Sequence, residues 1–165
     1  MKSYDTTVIS SNAFQNNTLL KTAKANSILS VEESAFEGCT NILSVEISNC
    51  VDIQDYAFKS CTNLRKIDTR NVKTIGNFTF YGDTKLTSYE FPECLSIGNN
   101  AFETTNAGSK TVSFDFKKCK YIGENAFRTT ENKSGSTPFS GISCLDFPEC
   151  EKIGDNAFQL INRHN

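Results

Sequence analysis

Apolar positions recur along the chain with a fixed spacing. A phenylalanine preceded by a small residue appears at Ala13-Phe14, Ala35-Phe36, Ala57-Phe58, Ala101-Phe102, Ala126-Phe127 and Ala157-Phe158, and Thr79-Phe80 fills the remaining slot. The phenylalanines step by 22, 22, 22, 22, 25 and 31 residues. Each follows an aliphatic residue by five positions, at Ile9, Val31, Ile53, Ile75, Ile97, Ile122 and Ile153. Between a phenylalanine and the next aliphatic residue runs a second, mostly apolar set: Leu20, Ala23, Ala25; Ile42, Val45, Ile47; Leu64, Ile67, Thr69; Leu86, Tyr89, Phe91; Thr111, Phe114, Phe116; Ile142, Leu145, Phe147. The last two members of each triplet flank one outward position, the alternation of a half-buried strand. The longer steps place insertions near 104–110 and 129–141 and leave the core register intact.

A unit of this length cannot bury its own apolar face, so successive units must stack and share a core. The pattern predicts a repeat solenoid of about seven repeats of 22 or more residues, forming a single domain over 1–165. A parallel β-sheet is expected on one face and short turns or strands on the other. Phe14, Phe36, Phe58, Phe80, Phe102, Phe127 and Phe158 are expected to form an aromatic spine, with the small residue before each letting neighbouring turns approach. The segments SIGNNAFETT, YIGENAFRTT, KIGDNAFQLI and DIQDYAFKSCTNL resemble the BspA-like leucine-rich repeats of adhesins from anaerobic bacteria and protozoan parasites. That resemblance covers nearly the whole chain. It implies a leucine-rich-repeat fold, attachment to host, matrix or cell-surface proteins, and a cell-surface or secreted location. The departures are Thr79 for Ala, Gln54 and Glu32 where Gly is usual, and the two insertions.

Other positions take separate roles. Gly follows the aliphatic residue at Gly76, Gly98, Gly123 and Gly154, which suggests a turn needing positive φ at the glycine. The Asn and Asp side chains just after it, as at Asn99-Asn100 and Asp155-Asn156, are expected to bond turn amides that no sheet ladder satisfies. Cys39 and Cys61 lie three residues after a phenylalanine; Cys50, Cys94, Cys119 and Cys150 lie three before the aliphatic residue. Val72 and Ile28 take that second slot elsewhere, so these cysteines read as small core hydrophobes and free thiols. Cys144 falls at an outward strand position and is the one expected to be reactive.

Composition narrows the functional classes. Lys plus Arg is 17 and Asp plus Glu 19, a net charge of −2 that gives no electrostatic reason to expect nucleic acid. No apolar run is long enough to span a bilayer, and the start MKSYDTTVISS lacks a signal-peptide apolar region, which leaves a cytoplasmic location open. The single histidine is His164, no zinc-ligand spacing occurs, and no nucleophile-base pair or phosphate-binding loop is present. No catalytic residue, metal site or cofactor is therefore assigned, and the chain is read as non-enzymatic.

One outward column stands out. Lys24, Glu46, Asp68, Glu90, Asp115 and Asp146 lie between the alternating apolar strand positions, and five successive carboxylates at sheet spacing repel one another. Arg65 and Lys66 are the nearby cations expected to neutralise part of the column. The column is either a solubilising face or the docking face of a basic or cation-bridged protein partner. The insertions are either a second contact patch or tolerated lengthening. Sequons occur at Asn16, Asn77 and Asn132. Two functions follow: a protein-binding or adhesion module, or an assembly protein that self-associates through uncapped ends, since no strand is predicted after Phe158-Gln159-Leu160-Ile161.

Overall fold

The structure, a computed structural model, describes residues 7–86, 88–103, 113–130 and 146–161, with backbone alone at 88, 89, 113, 114 and 130. Among the described residues there is no helix, only short strands joined by turns. Seven two-residue strands hold the recurrent aliphatic residue: β1 (Val8–Ile9), β3 (Ser30–Val31), β5 (Asp52–Ile53), β7 (Thr74–Ile75), β9 (Ser96–Ile97), β11 (Tyr121–Ile122) and β13 (Lys152–Ile153). They pair in that order into one parallel sheet, with Ile53, Ile75, Ile97, Ile122 and Ile153 in register. The alternating triplets form a second face in two pieces. One contains β2 (Thr22–Lys24), β4 (Ser44–Glu46) and β6 (Lys66–Ile67), the other β8 (Ser88–Glu90) and β10 (Ser113–Asp115). The chain is a parallel β-solenoid. Its continuous sheet runs along the aliphatic positions, whereas the longer triplet strands, expected to be the principal sheet, pair in separate groups.

The seven phenylalanine rings stack in one column, with centroids 5.0–5.5 Å apart and planes within 9° of parallel. A backbone ladder sets that spacing. The N–H of each Phe donates to the carbonyl of the small residue on the next turn, as from Phe36 to Ala57 (2.7 Å) and from Phe80 to Ala101 (2.7 Å). Thr79 fits the Ala slot because its buried hydroxyl donates to the Gln54 and Gly76 carbonyls. Phe91 and Phe116 form a shorter column against the spine, with Phe91 edge-on to Phe102 and Phe116 edge-on to Phe127.

Turns are tied by side chains at a constant offset. Asn41, Asn49, Asn63 and Asn71 each donate Nδ2 to a carbonyl 23 residues earlier, at 2.7–2.8 Å. On the opposite edge Asp55 accepts from the Asn77 amide, Asn77 from that of Asn99, and Asn99 from that of Glu124, as expected for side chains serving turn amides. The Asn77 Nδ2 also donates to Asp55, so the carboxamide of that sequon is already committed. Asn132 and Cys144 lie outside the described residues.

The glycine expectation needs correction. Gly76, Gly98, Gly123 and Gly154 do not have positive φ; that conformation falls two residues later, at Phe78, Asn100, Asn125 and Asn156. These glycines are needed because turns nearly touch there. A Cβ on Gly98 would lie 2.5 Å from the Gly76 carbonyl carbon and 2.6 Å from the Asn77 nitrogen. The second insertion is also bounded differently. Thr129–Thr130 is a strand, β12, paired with β14 (Leu160–Ile161), so the divergence starts after Thr130 and a strand does follow Phe158. The first insertion lies outside the described residues.

All six described cysteines are free thiols. Cys39 and Cys61 donate to the carbonyls of Phe14 and Phe36, 25 residues earlier. Cys50 donates to the Asp52 carbonyl, and burial pushes its thiol up to about 11, which keeps it protonated and inert. The next occupant of the Cys39–Cys61 column is Asp83. It is 3% exposed and neither carboxylate oxygen has a hydrogen-bond partner. Burial drives its carboxyl well above the usual range, and the Cys61 backbone opposes this only in part.

Two outcomes follow. Gly98→Ala should destabilise the fold by about 1–3 kcal/mol, since backbone would have to move, and chemical denaturation would measure this. Asp83 binds its proton more tightly folded than unfolded, so its contribution is complete below the ordinary aspartate pKa of about 3.9 and declines as pH rises toward the folded value. Denaturation midpoints measured from pH 4.5 upward should fall more steeply in the native chain than in Asp83→Asn.

Candidate functional site

Strand alternation places Val45 and Ile47 in the core and leaves Glu46 between them in solvent. The same register sets Lys24 beside Glu46 and Glu90 beside Asp115 on paired strands. The predicted column therefore exists as a geometric row from Lys24 to Asp115. Asp146 is exposed and lies outside any strand.

The row is not a bare stack of like charges. Lys24 Nζ is 2.9 Å from Glu46 Oε2, and this bond, helped by the field of Lys66, holds the Glu46 carboxyl below its ordinary range. Asp68 is gripped by Arg70, with Nη2 at 2.6 Å and Nε at 3.0 Å, and accepts from Ser48 Oγ at 3.0 Å. The Arg70 hydrogen bond leads in lowering the Asp68 pKa to about 2, so the carboxylate is charged throughout the neutral range. The expected neutralisers are thus corrected in part. Lys66 acts through its field on Glu46, but Arg65 makes no ion pair among the described residues, and Arg70 takes the role assigned to it. Arg70 was missed because it sits in the turn after the strand, outside the alternating pattern. Its signal was its place two residues after Asp68, close enough to fold back.

These groups share one groove of about 880 Å³. Glu46, Arg65, Lys66, Asp68, Glu90 and Asp115 all line it, with Arg70, Ser44, Ser48 and Pro92. Asp115 Oδ1 is shielded from solvent and has no hydrogen-bond partner. The opposite face differs, because its outward side chains are spent on each other: Ser30 and Thr74 both donate to Asp52. Among the described residues no three His, Cys, Asp or Glu side chains converge to hold a metal ion. The groove offers ionic and hydrogen-bonding contacts and no assembled catalytic group.

A family model described as BspA type leucine rich repeat region matches residues 7–134 in six copies. The chain belongs to the BspA-type leucine-rich-repeat family. The 22-residue ladder, the phenylalanine spine and the helix-free solenoid are the physical form of that repeat. Members of the BspA-type family are repeat proteins, often protein-binding or adhesive, generally non-enzymatic, and often at the surface or secreted. Neither the curated proteins nor the solved structures compared with the chain include a match. Among the described residues no helix is long and apolar enough to cross a membrane.

Proposed function

We propose that this BspA-type solenoid is a non-enzymatic adhesion module that holds a host, matrix or cell-surface protein along the groove of β4, β6, β8 and β10. The observation that carries the reading is the gathering of Glu46, Asp68, Glu90 and Asp115 with Arg65, Lys66 and Arg70 in one groove. Alternating charges at fixed sheet spacing select a partner by matching its charge pattern, which governs specificity and association rate more than raw affinity. A basic group on the partner completes the row at Glu90 and Asp115, where it also reaches the unpartnered Asp115 oxygen. A solvated face would need none of these features, and it is the competing account.

A second reading, self-assembly, is favoured by a different observation. Ile153 is 51% exposed, whereas Ile53, Ile75, Ile97 and Ile122 are 0–3% exposed, and Leu160 and Ile161 beside it are 42% and 38% exposed. Another solenoid stacked there would bury them.

With Glu46, Asp68, Glu90, Asp115 and Asp146 all changed to amides, retention on immobilised extracellular-matrix proteins should weaken about tenfold at low salt and lose most of its salt dependence. Surface plasmon resonance reads this, and unchanged binding would leave the row a solvated face. Light scattering should give a monomer mass independent of concentration; a mass rising with concentration would favour stacking instead.

A further inference from the structure

Away from the groove, the position three residues after each recurrent aliphatic residue is left-handed on every turn: Asn12, Ser34, Tyr56, Phe78, Asn100, Asn125 and Asn156 have φ between 54° and 59°. Asn enters that region readily because its short polar side chain bonds locally, whereas a bulky aromatic is strained there. Tyr56 and Phe78 accept the strain on two adjacent turns. The hydrophobic core does not demand it, since the spine at those turns is Phe58 and Phe80 and the two strained rings are only half-buried. Strain that the core does not require is the mark of a site.

The rings are arranged as a platform. Tyr56 and Phe78 stack at 5.3 Å, Tyr81 packs against Phe78 at 5.8 Å, and Lys59 Nζ caps Tyr56 at 5.1 Å from its centroid. On the next turn the column drops from a ring to Asn100, and a recess of about 460 Å³ opens beside Phe78 and Tyr81. Its far wall is polar. Arg128 holds Glu103 through Nε and Nη2, and Asn100 donates to the same carboxylate. Lys59, on the near side, is paired with Glu37 at 3.1 Å.

This chemistry selects a ligand. Each charge in the recess already has a counter-charge, so an ionic ligand would have to displace one, which favours a neutral molecule. The ligand needs one flat face with C–H groups to lie on the negative face of an aromatic ring, and a rim of donors and acceptors for the Glu103–Arg128 pair. A pyranose has both. We propose that the recess beside Phe78 is a carbohydrate-binding subsite, stacking a neutral pyranose on Phe78 and Tyr81 and bonding its hydroxyls to Glu103, Arg128 and Asn100. It is separate from the protein-binding groove and independent of that reading.

Saturation-transfer NMR of the intact chain with the methyl pyranosides of glucose, galactose, mannose and N-acetylglucosamine tests this. At least one should receive saturation on its ring C–H protons, and N-acetyltryptophanamide at equal concentration should receive none. Phe78→Asn should weaken that binding about tenfold by removing the stacking face, with a melting temperature at or above the native value because Asn suits this φ. Asn100→Phe, which fills the recess with a ring, should abolish binding and leaves the platform in place if Phe78→Asn fails to fold. Binding that survives both changes, transfer to the tryptophan amide alone, or no transfer to any pyranoside would overturn the proposal.

Discussion

Registered stacking of like on like, one turn above the next at about 5 Å, is the constraint on which the rest of this molecule depends. Short strands of two or three residues offer few hydrogen bonds each, so no turn is held by its own sheet segment. Instead the Phe amide, the turn Asn side chains and the thiols each bond to an adjacent turn, at offsets of 22 to 25 residues through the regular stretch. Apolar burial supplies the drive, while these repeated bonds supply the register that makes the rings superimpose. A residue that suits one turn is therefore judged against its copies above and below.

That constraint explains which features were legible in the sequence. The spine from Phe14 to Phe158, the core cysteines and the outward row at Glu46, Asp68, Glu90 and Asp115 follow from spacing alone, because periodic placement becomes spatial alignment. The glycines were seen but misread. A residue after Ile75 or Ile97 looks like a turn residue with unusual φ, yet the restriction comes from the backbone of the preceding turn, which no local rule contains. The left-handed residue is the Asn at 100, 125 or 156, whose side chain tolerates it.

Other misses share a physical reason, the departure of one turn from the column average. Asp83 takes the place of a thiol, and only the burial of its neighbours reveals that it lacks a partner. Arg70 lies in a turn and reaches back to Asp68. Tyr56 and Phe78 occupy a slot otherwise filled by Asn or Ser, a substitution visible in the aligned repeats but without meaning until the backbone conformation was known. Within a periodic scaffold the regular positions describe the architecture, and chemical individuality collects at the exceptions.

The steps from Phe102 to Phe127 and from Phe127 to Phe158 are 25 and 31 residues, yet their rings stack at 5.0 and 5.1 Å, like those separated by 22. Extra length entering between the spine and the next strand is thus not transmitted to the neighbouring coils. The junction acts as a mechanical insulator: each coil can carry a loop of its own length and composition without renegotiating the packing of any other. Such a frame lets surface novelty arise one coil at a time, at a rate uncoupled from the conservatism of the interior.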